Sequence, residues 1–394
     1  MMYMTVRLYL PSPLANSNEQ LPIHIHSQLA ACRSKLENGS AGEMQAIFPE
    51  GFAFSYLFYG LAWVEVGLRD EDSRLRATKE VEWALQFVES QDAKAPFPPE
   101  LPPDHGMFYS AWRAHLLGGL AMLAGAESPH VVQLRAQCDT IAEHLKNSKT
   151  PFPPSYVSSA WPCDTLPAIH AMATHDHVTG QGRYAELIKA WLQQSRIATD
   201  DETSMISHLS DPNNGRPLSG ARATSQSIIL RMLPDIDPQL AKQQYLAYRK
   251  CFRNTFVGLP SVMEYPNGVR SGTGDIDSGP LIFGRSLSAT VMDIGLGQIY
   301  GDQEWADALA VTGEAVSFPY NLQGKRTYAF GILPIGEVMV TYSYSARPWF
   351  STDHQPETRQ ELSSLWRLPT TLVTVCLTAI TFWRWRRRSQ LQST

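Results

Sequence analysis

The chain is 394 residues long, 43% hydrophobic and 18% charged, with a formal net charge of -5. That balance fits a folded globular protein and argues against a nucleic-acid binder, because no basic helix or stripe occurs outside the C-terminal tail. Five scattered cysteines, Cys32, Cys138, Cys163, Cys251 and Cys376, form no C-x-x-C pair and give an odd total, so neither a disulfide framework nor a structural zinc site is indicated. No metal or cofactor is expected.

Residues 1–20 read as a tail, and Met1 to Leu10, ahead of Pro11 and Pro13, do not read as a signal peptide. One helix is predicted around Ser27 to Leu36. A pattern then repeats: apolar helices rich in small residues, announced by Gly or Pro, begin near Glu50, Gly106, Trp161, Gly220, Gly279 and Gly336, at intervals of about 55 to 59 residues. Each pairs with a more charged, amphipathic helix, as at Arg74 to Val88, Val131 to Leu145, Tyr184 to Gln194 and Gln239 to Phe256. The expected fold is therefore all-α, an (α/α)6 toroid of six helical hairpins over residues 21–349, with apolar helices inside and amphipathic ones outside. The helix at Ser27 to Leu36 supplies the last outer position.

Connections into the inner helices are long and rich in Pro, Gly, aromatic and charged residues, whereas those out of them are tight, as at Gly125 to Ser128 and Gly180 to Arg183. If the inner helices run parallel, all the long loops gather at one mouth, over helix N-termini that favour anions.

Three loops and one helix start carry chemistry. Pro102 to Arg113 offers Asp104 and His105 at the mouth, with Tyr109, Trp112 and Arg113 at helical steps that place an aromatic platform beside a cation. Tyr156 to Asp164 brings Tyr156, Trp161, Cys163 and Asp164 to a helix start, where a cysteine pKa falls and a thiol becomes a candidate nucleophile. Arg222 stands at the fourth inner helix. Glu264 to Pro280 holds Glu264, Arg270, Asp275 and Asp277 in a glycine-loosened segment. Carboxylates there suit general acid and base roles, while Asp277 is equally readable as the helix N-cap. Arg222 and Arg270 are candidate anion holders. His175-Asp-His177 falls at the far end of its helix and reads as a terminus stabiliser rather than a metal site.

Beyond the toroid, 350–365 reads as a polar tether, 366–385 as a single transmembrane anchor and 386–394 as a basic tail. Leu368 to Trp383 is free of charge, flanked by Trp366, Trp383 and Trp385, and followed by Arg384, Arg386, Arg387 and Arg388. The arginines place the C-terminus in the cytoplasm and the toroid on the extracytoplasmic side.

The six-hairpin pattern resembles the (α/α)6 toroid superfamily, whose members include glycoside hydrolases, polysaccharide lyases, sugar epimerases and terpene-processing enzymes. Within it, Trp161-Pro-Cys-Asp164 and Asp275-Ile-Asp-Ser-Gly-Pro280 are similar to stretches of linalool dehydratase/isomerase-related proteins. That resemblance implies an active-site role for Cys163, although the family's second cysteine falls on Met172 and its Glu on Asp164 here. Three functions stay open at this point: acid–base catalysis on a glycan or cell-envelope molecule, lyase or isomerase action on a lipophilic terpenoid-like alcohol, and a non-catalytic membrane-tethered scaffold. The expected partners are a small-molecule or glycan ligand and a membrane.

Overall fold

The computed structural model of the chain describes residues 2–14, 20–156, 158–269 and 272–391. Among them helices dominate: α1 Met2–Arg7, α2 Ile25–Glu37, α3 Ser40–Gln45, α4 Gly51–Arg69, α5 Glu71–Val88, α6 Gln91–Lys94, α7 Gly106–Ala124, α8 Pro129–Asn147, α9 Pro162–Thr179, α10 Ala185–Ser195, α11 Ala223–Met232, α12 Pro238–Phe252, α13 Leu287–Ile299, α14 Gln303–Val316, α15 Pro334–Tyr344 and α16 Leu368–Leu391. Two antiparallel hairpins join them, β1 Arg253–Phe256 with β2 Leu259–Val262 and β3 Tyr320–Leu322 with β4 Lys325–Thr327.

Helices α4, α7, α9, α11, α13 and α15 touch one another in that order, and α15 returns to α4, so their contacts run in a closed circuit. Outside them lie α5, α8, α10, α12 and α14, each against the helix that precedes it, and α2 packs on both α15 and α4 at the seam. Inner helices are apolar all round because both faces are covered, and small residues let them approach closely. At Gly119 of α7 an added methyl would lie 2.4 Å from Val64 of α4. Large side chains fill the bore. Phe58 stacks on Tyr342 at 5.2 Å and meets Trp112 edge-on, contributing roughly 1.5–3 kcal/mol per buried side chain.

One end of the bore is sealed. The segment after α15 folds back so that Trp349 stacks on His115 at 4.7 Å and meets His170 edge-on. Asp235 fixes it by accepting the backbone N–H groups of Trp349, Phe350 and Ser351 at 2.9, 3.1 and 2.6 Å while binding His170 Nε2 at 3.1 Å. Toward the C-terminal ends of the inner helices, Arg231 of α11 reaches Glu65 of α4 at 2.6 Å and the Tyr342 carbonyl of α15 at 2.7 Å, tying three walls together.

Several boundaries differ from the sequence expectation. The fifth inner helix starts at Leu287 rather than near Gly279, because Ser286, whose Oγ accepts the Ala289 N–H at 3.1 Å, is its cap. Asp277 is therefore not an N-cap. The predicted helix to Phe256 stops at Phe252, and its last four residues form β1, where Thr255 and Phe256 favour a strand. Residues 350–365 are strapped to the ring: His354 Nε2 bonds the Ile299 carbonyl at 2.8 Å and the Gln360 N–H donates to Asp302 at 2.7 Å.

α16 exists as a helix and its apolar side chains from Leu372 to Trp385 are largely exposed. Among the described residues, however, the helix both long and apolar enough to cross a membrane by composition is Gly51–Arg69, which is buried in the ring wall.

Candidate functional site

The N-termini of the inner helices meet at the rim opposite the sealed end, and backbone bonds lock their approach. The N–H groups of Met107 and Phe108 donate to Pro154 and Ser155 at 3.2 and 3.1 Å, and the Ala223 N–H donates to Glu264 at 3.0 Å. Gly106, at φ +85, comes so near this segment that a Cβ would sit 2.3 Å from the Ser155 carbonyl.

One carboxylate group gathers around α9. Glu50, the residue before α4, accepts the Tyr156 hydroxyl in a very short hydrogen bond. Tyr156 stacks on Trp161 at 5.2 Å, leaving both rings partly exposed. Asp164, in the first turn of α9, is buried, and that burial, with the nearby Glu50 and Asp277 carboxylates, pushes its pKa up to about 8 against a hydrogen bond from Ser155. It is a neutral acid at pH 7. Asp277 is exposed to solvent at the rim, with protein packed close around it. That enclosure, followed by Glu50 and Asp275, raises it to about 7. Its carboxylate makes no hydrogen bond among the described residues.

A second group centres on Arg222. Its Nε donates to Glu264 at 2.8 Å, one Nη donates to Asp275 in a very short contact, and the same nitrogen lies 3.4 Å from His208 Nε2. Its other Nη is buried with no protein partner, a donor left for a ligand oxygen. Asp275 is partly enclosed, which would raise its pKa, but Arg222 and the Ser278 N–H at 3.0 Å hold it below the usual carboxylate range. His208 is pushed down to about 4 by burial and by Arg222, so it is neutral. Because Arg222 must donate to Nε2, the proton sits on Nδ1 and faces Ser225 Oγ at 2.6 Å. His208 therefore cannot act as base toward Ser225 in this tautomer.

The structure brings Tyr156, Trp161, Cys163, Asp164, Arg222, Asp275 and Asp277 to one rim, and separates others from it. Glu264 is fully buried with its oxygens taken by Arg222 and by Thr224 at 2.7 Å, so it braces Arg222 instead of facing the opening. The Cys163 thiol is driven well above its ordinary value by burial and the adjacent Asp164, the reverse of the lowered pKa expected at a helix start. Desolvation outweighs the helix field there. Tyr109 and Arg113 face the outer wall: Tyr109 donates to the Val88 carbonyl at 3.1 Å, and Arg113 binds Glu89 at 2.9 Å and Gln137 at 2.6 Å. Trp112, on the other side of α7, packs edge-on against Phe54 and Phe58 in the filled bore. His105 Nδ1 bonds the Phe97 carbonyl at 2.8 Å and braces its loop. Asp104 is exposed, and its carbonyl accepts Ser110 Oγ at 2.8 Å. Arg270 lies outside the described residues.

Three rim residues escaped the sequence reading: Glu50, His208 and Ser225. Glu50 reads locally as a helix-start carboxylate, and nothing local signals that Tyr156 will reach it. A surface depression of about 490 Å³ lined by Gln45, Phe48, Pro49, Ala95 and Pro96 contains no titratable side chain and is separate from this site.

No family model matches the chain, and no curated protein matches it. Among solved structures, a crystal structure of D-mannose isomerase is similar at a TM-score of 0.45 and 9% identity, covering 86% of this chain and 95% of that one.

Proposed function

We propose that the chain is a membrane-tethered (α/α)6 toroid enzyme that acts on a hydroxyl-bearing substrate of the glycan or cell-envelope class by carboxylate acid–base chemistry. The observation that carries this reading is the opposite behaviour of Asp275 and Asp277 on one loop, because acid–base work needs neighbouring groups whose protonation states are pushed apart. Asp277, exposed at the rim, protonates the leaving oxygen as its bond to carbon breaks, and recovers a proton from the water that bonds to that carbon in its place. Asp275 stays ionised and fixes Arg222, whose unused Nη holds a substrate oxygen. The Tyr156–Trp161 pair is the platform for a sugar-like ring, and neutral Asp164 donates a hydrogen bond from below. α16 is the anchor, with its arginines on the cytoplasmic side.

The test is turnover of a panel of glycans and envelope glycolipids by the full chain in detergent. Asp277→Asn is expected to lower turnover by about 10²–10⁴-fold. Unchanged turnover in both Asp277→Asn and Asp164→Asn overturns the proposal.

A lyase or isomerase acting on a lipophilic alcohol is the second reading, favoured by the side-by-side placement of the protonated Cys163 and Asp164. Full activity in Cys163→Ser would remove it.

A further inference from the structure

We propose that the rim docks into the lipid bilayer through an apolar belt of hairpin and loop tips around the base of α16, so that the Asp277 side of the rim faces the lipid surface and receives the polar head of an amphiphilic substrate. The substrate clause rests on the acid–base reading above. The docking rests on the anchor role given there to α16 and not on the acid–base chemistry.

The first observation is where bulky residues stand. In the turns Val257-Gly258 and Phe283-Gly284, both residues have positive φ, at 51 and 85 degrees and at 51 and 80 degrees, and the flanking residues pair as Phe256 with Leu259 and Ile282 with Arg285. Two-residue turns with this backbone favour Asn or Asp before Gly, since a β-branched or aromatic side chain is strained there. This chain puts Val and Phe at those positions and exposes them, Phe283 by 72%. Phe318 and Phe330 repeat the device, at φ 48 and 55 degrees, with Phe330 68% exposed and Ile332 79% exposed beside it. Strained backbone that presents apolar side chains to solvent serves no packing purpose within the ring, and strain of this kind marks functional positions.

The second observation is continuity. Phe256 stacks on Phe283 at 4.9 Å, Phe318 on Tyr3 of α1 at 5.2 Å, and Phe318 and Phe330 lie 6.3 Å apart. These tips lie on the loops that lead into α13 and α15, on the rim side of the ring. α16 is rooted among them. Thr370 Oγ1 donates to the Val257 carbonyl at 2.6 Å, Arg367 Nε to the Leu8 carbonyl at 2.6 Å, and Tyr9 and Thr371 share a hydrogen bond at 3.1 Å. Gly258 is pressed so close that a Cβ would lie 2.1 Å from the Trp366 carbonyl. With residues 350–365 strapped down as well, α16 is held fixed relative to the belt.

The third observation is what α16 itself shows to its surroundings. The hydroxyls of Thr371, Thr374, Thr378 and Thr381 each bond the carbonyl four residues earlier, at 2.8, 2.9, 2.7 and 2.7 Å. With those donors satisfied internally, the helix presents methyl groups and the exposed Leu372, Val373, Val375 and Leu377, a surface suited to lipid. Cations flank the belt as they do at membrane interfaces, with Arg285 4.8 Å from the Phe256 ring centroid and Arg367 4.2 Å from that of Trp366.

The experiment places an environment-sensitive fluorophore on Phe283→Cys, Phe330→Cys and, at the sealed end, Glu127→Cys, in the full chain carrying Cys251→Ser and Cys376→Ser and reconstituted in phosphatidylcholine vesicles containing spin-labelled lipid. Labels at 283 and 330 are expected to shift to the blue and be quenched by the lipid spin label, with the label at 127 unaffected. Labels at 283 and 330 that stay in water, or a chain that fails to enter vesicles, overturn the proposal. Val257→Asn with Phe283→Asn suits both turns, so the folded ring keeps or raises its Tm while quenching at 330 falls. Quenching is read without turnover, so a failed docking result is distinct from a failed Asp277→Asn result.

Discussion

Asp275 and Asp277 share one loop, two positions apart, and face opposite electrostatic surroundings. Asp275 is bonded to Arg222 and the Ser278 N–H, whereas Asp277 lies near the Glu50 and Asp164 carboxylates. The same loop thus carries one carboxylate that resists protonation and one that holds its proton near neutrality.

That pair sets a pH profile. Asp277, as the acid, is protonated below about 7, so turnover is expected to fall as pH rises through that value. Asp275 must be ionised, and its lowered pKa puts the acidic limb below the ordinary carboxylate range. Arg222→Gln removes the holding charge and should move the acidic limb to higher pH. A pH–rate profile of wild type and variant checks both limbs.

Asp164 links the site to stability. Its folded pKa, about 8, lies above the ordinary value of 3.8 that it has in the unfolded chain. Stability associated with this proton is complete below about pH 4 and is lost progressively as pH rises to 8, where a buried charge must form. Asp164→Asn should therefore stabilise the fold at pH 9 relative to wild type, by an amount on the order of a few kcal/mol, and change little at pH 4. Thermal melts at the two pH values decide it, and equal shifts at both would count against a buried, proton-holding Asp164.

The Arg231–Glu65 bridge crosses the bore at 2.6 Å with both side chains buried. Arg231→Met alone leaves Glu65 uncompensated and is expected to cost about 3–5 kcal/mol, whereas Arg231→Met with Glu65→Leu should recover most of that loss. Denaturant unfolding of the single and double variants measures the difference.

Cys163 is expected to resist alkylation. Burial and Asp164 keep its thiol protonated. Iodoacetamide at pH 8 should leave Cys163 unmodified in the native protein and reach it only after unfolding, as peptide mass spectrometry would show. Rapid native modification of Cys163 would restore it as a nucleophile.

The ring was legible in the linear chain because each hairpin must bury one apolar helix and expose part of the next, which writes a period into the residue pattern. The closed circuit of α4, α7, α9, α11, α13 and α15 follows that period. The start of α13 was misplaced because Gly279 and Pro280 punctuate a loop as readily as they announce a helix, and the cap at Ser286 lies inside a stretch with no apolar periodicity.

The site was legible only in part. Asp164, Asp275, Asp277 and Arg222 stand out as polar residues in glycine- and proline-rich loops, a local signal. Tyr109, Trp112 and Arg113 show the limit of that signal. Helical spacing says which residues share a face, and the neighbours decide whether that face meets the opening, the filled bore or the outer wall.

What the amino-acid order determined by itself was the succession of helices, which of them are covered on all sides, and the chemistry available in the loops between them, since those follow from backbone propensity and hydrophobic periodicity over short spans. Which carboxylates keep their protons, that Glu50 meets Tyr156, that Trp349 closes the bore and that Val257 and Phe283 gather at the base of α16 were decided by the tertiary structure alone. Charge coupling and desolvation depend on distances through space, and those distances join residues that lie far apart along the chain.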